Sequence, residues 1–179
     1  MSYSSGAVRL RALEEEDVDP IVGHLAGEAS WGMRGIRHDR HGPMSRAEIR
    51  AQVEGWPKRE LGHVLAIEAD GALVGFVEAE WDWDALSPSL WVFVVPEVRR
   101  RGYGRIAARL VLDRLFTETP AVTVQAWVDE PLEESLHFAA AMGFSAAGRV
   151  RRAGIKDGRY FDAIPLQLLR ATWEAPRAG

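Results

Sequence analysis

The segment Arg99-Arg100-Arg101-Gly102-Tyr103-Gly104-Arg105 holds the residues of this chain best suited to grip a polyanion. It follows the apolar run Leu90 to Val95, which reads as a strand closed by Pro96. It precedes a stretch in which Ile106, Ala107, Leu110, Val111 and Leu115 recur at helical spacing. A helix starting at this point leaves its first backbone N–H groups unpaired, and its dipole attracts anions to that end. Gly102 and Gly104 let the main chain approach a ligand closely, and the guanidinium groups add charge and bidentate donors. Together these features describe a pyrophosphate cradle between a strand and a helix. A Rossmann fingerprint needs a third glycine and a P-loop needs Gly-Lys-Ser/Thr; neither is present, so both readings fall. The bland alternative is a solvated basic turn with a packing glycine at Gly104.

A second group of residues could handle protons. Between Leu73 and Trp83 a period of two puts Val74, Phe76, Glu78, Glu80 and Asp82 on one strand face. Carboxylates in a row raise one another's pKa and attract a cationic amine. Glu78 and Glu80 are therefore candidate general bases, directly or through water, with solvated strand-face charge as the other reading. His38, Asp39 and His41 lack a clear third ligand, so no metal is expected. Those histidines, with Trp31, Trp81 and Trp83, are expected to line an acceptor entrance.

These groups need a scaffold. Val8–Leu13 alternates as a strand; Glu14 to about Ala29 reads as a helix with acidic residues in its first turn. Trp31–Pro43 reads as a loop, and Ser45 with Glu48 forms a capping box for a helix over Arg46–Trp56. Strands His63–Glu68 and Leu73–Trp83 flank Asp70-Gly71, a type I′ hairpin signal, and Ser89–Val95 is a third strand, buried on both faces. A helix over Gly102–Thr117 carries an Arg109–Asp113 pair outside its apolar stripe. Strand Val122–Val128 follows, then a helix over Pro131–Met142 capped by Gly143 and Phe144. Strands Ala146–Ala153 and Arg159–Leu168 close the chain around the turn Lys156-Asp157-Gly158. The pattern is a mixed α/β (α+β) domain of 179 residues, with about seven strands and about four helices. Residues 1–6 and 174–179 are expected to be flexible tails.

Composition sets outer limits. With 47% hydrophobic and 27% charged residues the chain is globular, and no apolar run is long enough to cross a bilayer. No export signal is visible and there is no cysteine, which excludes thiolate chemistry and suits a cytoplasmic location. A net charge of -4 argues against a nucleic-acid partner, and no interleaved aromatics accompany the arginines.

The strand–turn–helix segment resembles the signature of the GNAT superfamily N-acetyltransferases, Arg/Gln-x-x-Gly-x-Gly/Ala, read here from Arg99 to Gly104. Met142-Gly143-Phe144, Gly148-Arg149, Asp157 to Asp162 and Trp173 are similar to the RimJ/RimL branch. The resemblance covers nearly the whole chain. It implies acetyl-CoA as co-substrate, with backbone N–H groups from Arg100 to Arg105 on the pyrophosphate. It also implies that Phe93, Val94 and Val95 pair their main chain with the pantetheine arm, in a slot opened by splaying from Val122–Val128. The acceptor would be a small-molecule amine or a protein N-terminal amine.

At one place the chain departs from the family pattern. Ala139 stands where many relatives carry an acid tyrosine and Leu132 where an asparagine is frequent, while Ser135 is retained as a candidate acid. Tyr160 is a lesser candidate, and Tyr103 is expected to pack. An acyl-CoA-binding module without transfer activity is the alternative, and exposed edge strands make a homodimer plausible.

Overall fold

The computed structural model describes residues 3–26, 45–58, 62–81, 84–156 and 158–175. The central hairpin follows from its turn. Asp70 and Gly71 both sit at positive φ, 53° and 77°, the type I′ geometry whose twist matches the flanking strands. It joins β3 (Gly62–Ala69) to β4 (Ala72–Glu80). On the far side of β3 lies β2 (Val8–Ala12), with β1 (Tyr3–Ser5) beyond it; on the far side of β4 lies β5 (Ser89–Val94). All four of these pairings are antiparallel.

A right-handed crossover is the usual way to join parallel neighbours, and here α3 (Tyr103–Glu118) makes the connection from β5 to β6 (Thr123–Asp129). Strand β9 (Arg159–Leu169) pairs antiparallel with β6, and both β7 (Ser145–Ala146) and β8 (Val150–Lys156) pair with β9. Helices α1 (Glu15–Leu25) and α2 (Arg46–Gly55) pack on one face, burying Ile21, Val22, Ile49 and Val53 against Phe76 and Phe93. On the other face α3 and α4 (Glu133–Ala141) pack against Val77, Leu90, Val124 and Leu168. A short α5 (Arg170–Glu174) closes the described chain. Among the described residues no helix is long and apolar enough to cross a membrane.

The mixed α/β architecture expected from the sequence is the one observed, with differences that have physical causes. Nine strands are present among the described residues rather than about seven, and five α-helices rather than about four. Residues 3–5, expected as tail, form β1, held by Tyr3 pairing with Leu10 and by the Arg114 guanidinium 4.4 Å above the Tyr3 ring. Likewise Glu174, expected in the other tail, ends α5. The stretch 146–153 divides between β7 and β8, with residues 147–149 in neither strand, and β8 itself shifts register between Val150 and Gly154, where Arg152 adopts φ 52°. Strand Ser89–Val95 stops at Val94, and within it Leu90 and Phe93 are buried while the other four residues are partly exposed.

The period-two reading of β4 fails at one residue. Gly75 pairs with Ile67 and Leu73 with Glu68, so Val74 is the extra residue of a β-bulge. Val74 therefore packs with Val77 and Ala79 on the α3 face, while Phe76 stacks on Phe93 at 5.2 Å on the α1/α2 face. Phe76, Glu78 and Glu80 do share a face; Val74 does not. Asp113 was expected to pair with Arg109, but it accepts a hydrogen bond from Trp173 Nε1 at 2.9 Å.

Behind α1 lies a polar brace. Arg11 donates to both Asp17 oxygens at 2.6 and 2.8 Å and to Glu68 at 3.0 Å, linking β2, β3 and α1. Asp17 is 3% exposed and also closes the capping box by accepting the Glu14 N–H at 2.9 Å. Burial pushes the Asp17 carboxyl up, but the Arg11 hydrogen bonds, the Glu14 N–H and the Arg11 charge outweigh it, so the net shift is downward. Asp17→Asn is expected to cost about 3 kcal/mol at neutral pH, read as a lower urea midpoint. A depressed carboxyl contributes stability above its unfolded pKa and loses it as pH falls through the folded one. The gap between wild type and variant should therefore close in acid.

Candidate active site

The basic turn is built by tying down the end of β5. Val95 N–H donates to the Val74 carbonyl at 2.9 Å, and a short 3₁₀ turn, Pro96–Val98, carries the chain outward. Arg99 Nε donates to the Val94 carbonyl at 3.0 Å, so this arginine braces the strand. Arg100 and Gly102 then take φ of 63° and 87°, a left-handed pair that only glycine adopts freely. The first hydrogen bond of α3 is Ile106 N–H to the Gly102 carbonyl, 3.1 Å. Among the described residues no protein acceptor meets the main-chain N–H groups of residues 100–105. They form a concave set of donors at a helix N-terminus.

The two glycines are there for different reasons. Gly102 needs its backbone angle, and a Cβ at this position would meet nothing within 4 Å. At Gly104 a Cβ would lie 3.2 Å from Val94 Cγ2 and 3.8 Å from Phe138 Cε2, at the junction of α3, β5 and α4. The packing reading of Gly104 is thus the observed one. Tyr103 packs against the α3-side core as expected, and its hydroxyl donates to Asp70 at 2.8 Å, fastening the turn to the β3–β4 hairpin. The Arg100 side chain pairs with Glu134, whose carboxyl this partner holds below the usual range; Arg101 and Arg105 are exposed.

Strands β5 and β6 touch only through the pair Ser89 and Gln125, with Gln125 N–H on the Pro88 carbonyl at 2.8 Å. Beyond that point they part. In a strand, successive residues direct their main-chain groups to opposite neighbours. Because Val95 bonds β4, Phe93 also faces β4, while Val92 and Val94 face the opening. Of the three residues expected along the slot, Val94 alone turns its main chain toward it.

Where the strands part there is a cavity of about 270 Å³ lined by Glu78, Glu80, Ser89, Leu90, Trp91, Ala126, Trp127, Asp129 and Leu132. Glu78 is 8% exposed and pairs across the sheet with Trp91, so the two share a face; Glu80 pairs with Ser89 in the same way. On β6, Val124 and Val128 point to the α3 core, which sends Gln125, Trp127 and Asp129 to the carboxylate side. Trp127 is 59% exposed, at the cavity's rim. Asp129 is half-buried, and burial pushes its carboxyl above the usual range. The sequence reading ended this strand at Val128 and missed Asp129. Its alternation with Gln125 and Trp127, on the strand that must flank the slot, was the available signal.

Ser135 is half-buried in the first turn of α4 and does not line the cavity; Leu132 does. Tyr160 lies exposed on β9 with Arg152 over its ring at 5.5 Å. Trp81 packs with the α3-side cluster and edge-on to His63 at 5.9 Å, away from the carboxylate face. Trp31, His38, Asp39, His41, Asp82 and Trp83 lie outside the described residues. Among the described residues no three acidic or histidine groups are placed to hold a metal ion.

A sequence model of the acetyltransferase (GNAT) family matches residues 32–144. The chain belongs to this family. An uncharacterized N-acetyltransferase of Bacillus subtilis (strain 168), YokL, derived from the SPbeta prophage, is 26% identical over 177 residues, 97% of each chain. The fold is similar to that of the spermidine N-acetyltransferase from Vibrio cholerae in complex with CoA and spermine, with TM-score 0.79 and 20% identity over 94% of this chain and 99% of that one. It is also similar to RimL, a ribosomal L7/L12 α-N-protein acetyltransferase in complex with coenzyme A, with TM-score 0.77 and 14% identity over 92% and 95%. As a GNAT protein the chain is an N-acetyltransferase, with acetyl-CoA as co-substrate. The unmet N–H groups are donors suited to a diphosphate, and the open edge of β5 offers main-chain groups to an extended chain.

Gly104→Val is expected to push α3 off Val94 and Phe138 and so displace those N–H groups. KM for acetyl-CoA should rise about tenfold or more, about 1.4 kcal/mol of lost binding, with KM for the amine little changed, in steady-state assays.

Proposed function

We propose that this GNAT protein moves an acetyl group from acetyl-CoA to a cationic primary amine of a small molecule, by direct attack with both substrates bound. The observation that carries the reading is the convergence of Glu78, Glu80 and Asp129 in one cavity at the parting of β5 and β6. Main-chain N–H groups of residues 100–105 would hold the pyrophosphate, with Arg101 and Arg105 adding charge. The pantetheine arm would lie along the open edge of β5 at Val92 and Val94. Phe93 and Val95 would support that edge by fixing the strand to β4.

The carboxylates concentrate an ammonium ion near the thioester, and Trp91 and Trp127 offer indole faces that attract the same charge. The amine nitrogen attacks the thioester carbonyl carbon, the carbonyl electron pair moves to oxygen, and its return expels the sulfur. A protein N-terminal amine, as in the RimJ/RimL branch, is the second reading; it is favoured by Gly148-Arg149 and the segment from Asp157 to Asp162. Three carboxylates suit an acceptor with more than one positive charge better than they suit a single chain end.

Free-thiol release from acetyl-CoA over a panel of spermidine, arylamines and short peptides tests this. Spermidine is expected to support turnover that weakens as salt rises. Glu78→Gln and Glu80→Gln should each raise its KM about tenfold, the loss of one charge-assisted contact. Preference for peptide N-termini over every polycation would transfer the assignment to the second reading.

A further inference from the structure

Acetyl transfer from a thioester to an amine moves one proton from nitrogen to sulfur. Among the nine described residues that line the cavity, Glu78, Glu80 and Asp129 are the carboxyl groups, the side chains able to take up and hand on a proton. They are not equivalent in position. Glu78 and Glu80 stand on β4, with β5 between them and the opening. Asp129 stands on β6, which is the other rim of the opening. Counting along the two parallel strands from the Ser89–Gln125 contact brings Asp129 level with Phe93, between the slot-facing residues Val92 and Val94. A thioester laid on that edge of β5 lies between it and the strand bearing Asp129.

We infer that Asp129 carries the proton of the transfer, taking it from the attacking amine and returning it to the departing sulfur. The inference rests on the acetyl-transfer reading of the cavity. As the C–N bond forms, the nitrogen proton passes to the Asp129 carboxylate. As the C–S bond breaks with its electron pair on sulfur, the same proton passes from the Asp129 carboxyl to the thiolate, leaving the free thiol and the N-acetyl product. An acceptor arriving as ammonium first gives one proton to water. The base role that the sequence suggests for Glu78 and Glu80 shifts to their neighbour, and they remain as holders of the cation.

The surroundings of Asp129 suit a group that must exchange protons. Among the described residues, β4 presents the titratable groups Glu78 and Glu80 to the cavity, while β5 and the residue capping α4 present none, supplying Ser89, Leu90, Trp91 and Leu132. From β9, Ala163 pairs with Asp129, and the adjacent Asp162 is already committed to Arg149 and to the Arg152 N–H. Among the described residues no cation lines the cavity, and burial pushes this carboxyl up. A raised pKa brings a carboxyl closer to the working pH, where it is both a better base and still an acid.

The test is the pH dependence of kcat with acetyl-CoA and saturating spermidine. Asp129→Asn should lower kcat about a hundredfold or more. It should leave KM for acetyl-CoA within about twofold and abolish an acid limb that Glu78→Gln and Glu80→Gln both retain. Asp129→Glu should keep the limb and recover part of the rate; Asp129→Ser serves as the neutral variant should the asparagine form not fold. If a neutral variant keeps both the limb and the rate within about threefold, the proton role is overturned while the acetyl-transfer reading stands. If wild type binds acetyl-CoA yet acetylates no amine, the reading of the cavity fails and this inference falls with it.

Discussion

A parallel pair of strands that touches at one point and then separates is the constraint on which this molecule turns. Holding β5 and β6 together along their length would satisfy the main chain and close the site. Holding them apart leaves the Val92 and Val94 edge of β5 exposed to the slot, a cost the fold must meet elsewhere. It does so from three sides. Val95 is tied to Val74 on β4, Arg99 Nε caps the Val94 carbonyl, and Phe93 is stacked beneath Phe76 in the α1/α2 core. Strand β6 is secured on its other edge by continuous pairing with β9 from Thr123 to Asp129. With each strand anchored on its outer side, the gap needs nothing of its own to stay open.

The same geometry sorts charge. The donors that suit phosphate lie where β5 ends and α3 begins, on a turn whose arginines brace Val94, pair with Glu134 or point outward. The carboxylates that suit an ammonium lie on the opposite rim and on the face covered by α1 and α2. A net charge of -4 conceals this division, which is local and set by strand alternation. Opposite ends of one reaction, a polyanionic donor and a cationic acceptor, thus meet fields of opposite sign within one sheet.

Much of this was legible in the chain. The turn from Arg99 to Gly104 announced itself because glycine, basic residues and a helix start are all local signals. Hairpin turns at Asp70-Gly71 and the Gly143 cap, at φ 96°, are equally local and fell where expected. What escaped depends on pairing between distant segments. The bulge at Val74 exists because β3 and β4 differ by one residue in register, which no single strand can reveal. Whether Val94 or Phe93 faces the slot is decided by which residue bonds β4. Asp129 continues the alternation of Gln125 and Trp127, which the sequence shows, but its place level with Phe93 across the gap follows only from the pairing of β5 with β6. Trp81 packs elsewhere for a local reason, since one step of alternation from Glu80 sends it to the α3 face.

Asp17, which is buried, and Asp129, which is half-buried, pull stability in opposite directions, and the contrast separates architecture from chemistry. Asp17 is met by Arg11 and by a helix N–H, so its folded pKa is depressed. Its contribution is present above the unfolded pKa and disappears as pH falls through the folded value. Asp129 has no such partner among the described residues, and burial raises its folded pKa. The folded state then binds the extra proton more tightly than the unfolded chain, so its contribution is greatest in acid and declines as pH rises through the folded value. At neutral pH Asp17 supports the fold while Asp129 weakens it. A half-buried carboxylate with no cation among the described residues to offset it is hard to explain by folding alone. A serine or asparagine at that position would avoid the cost of ionising there. Retaining an acid at the rim of the slot makes physical sense where something enters that slot and needs a proton moved.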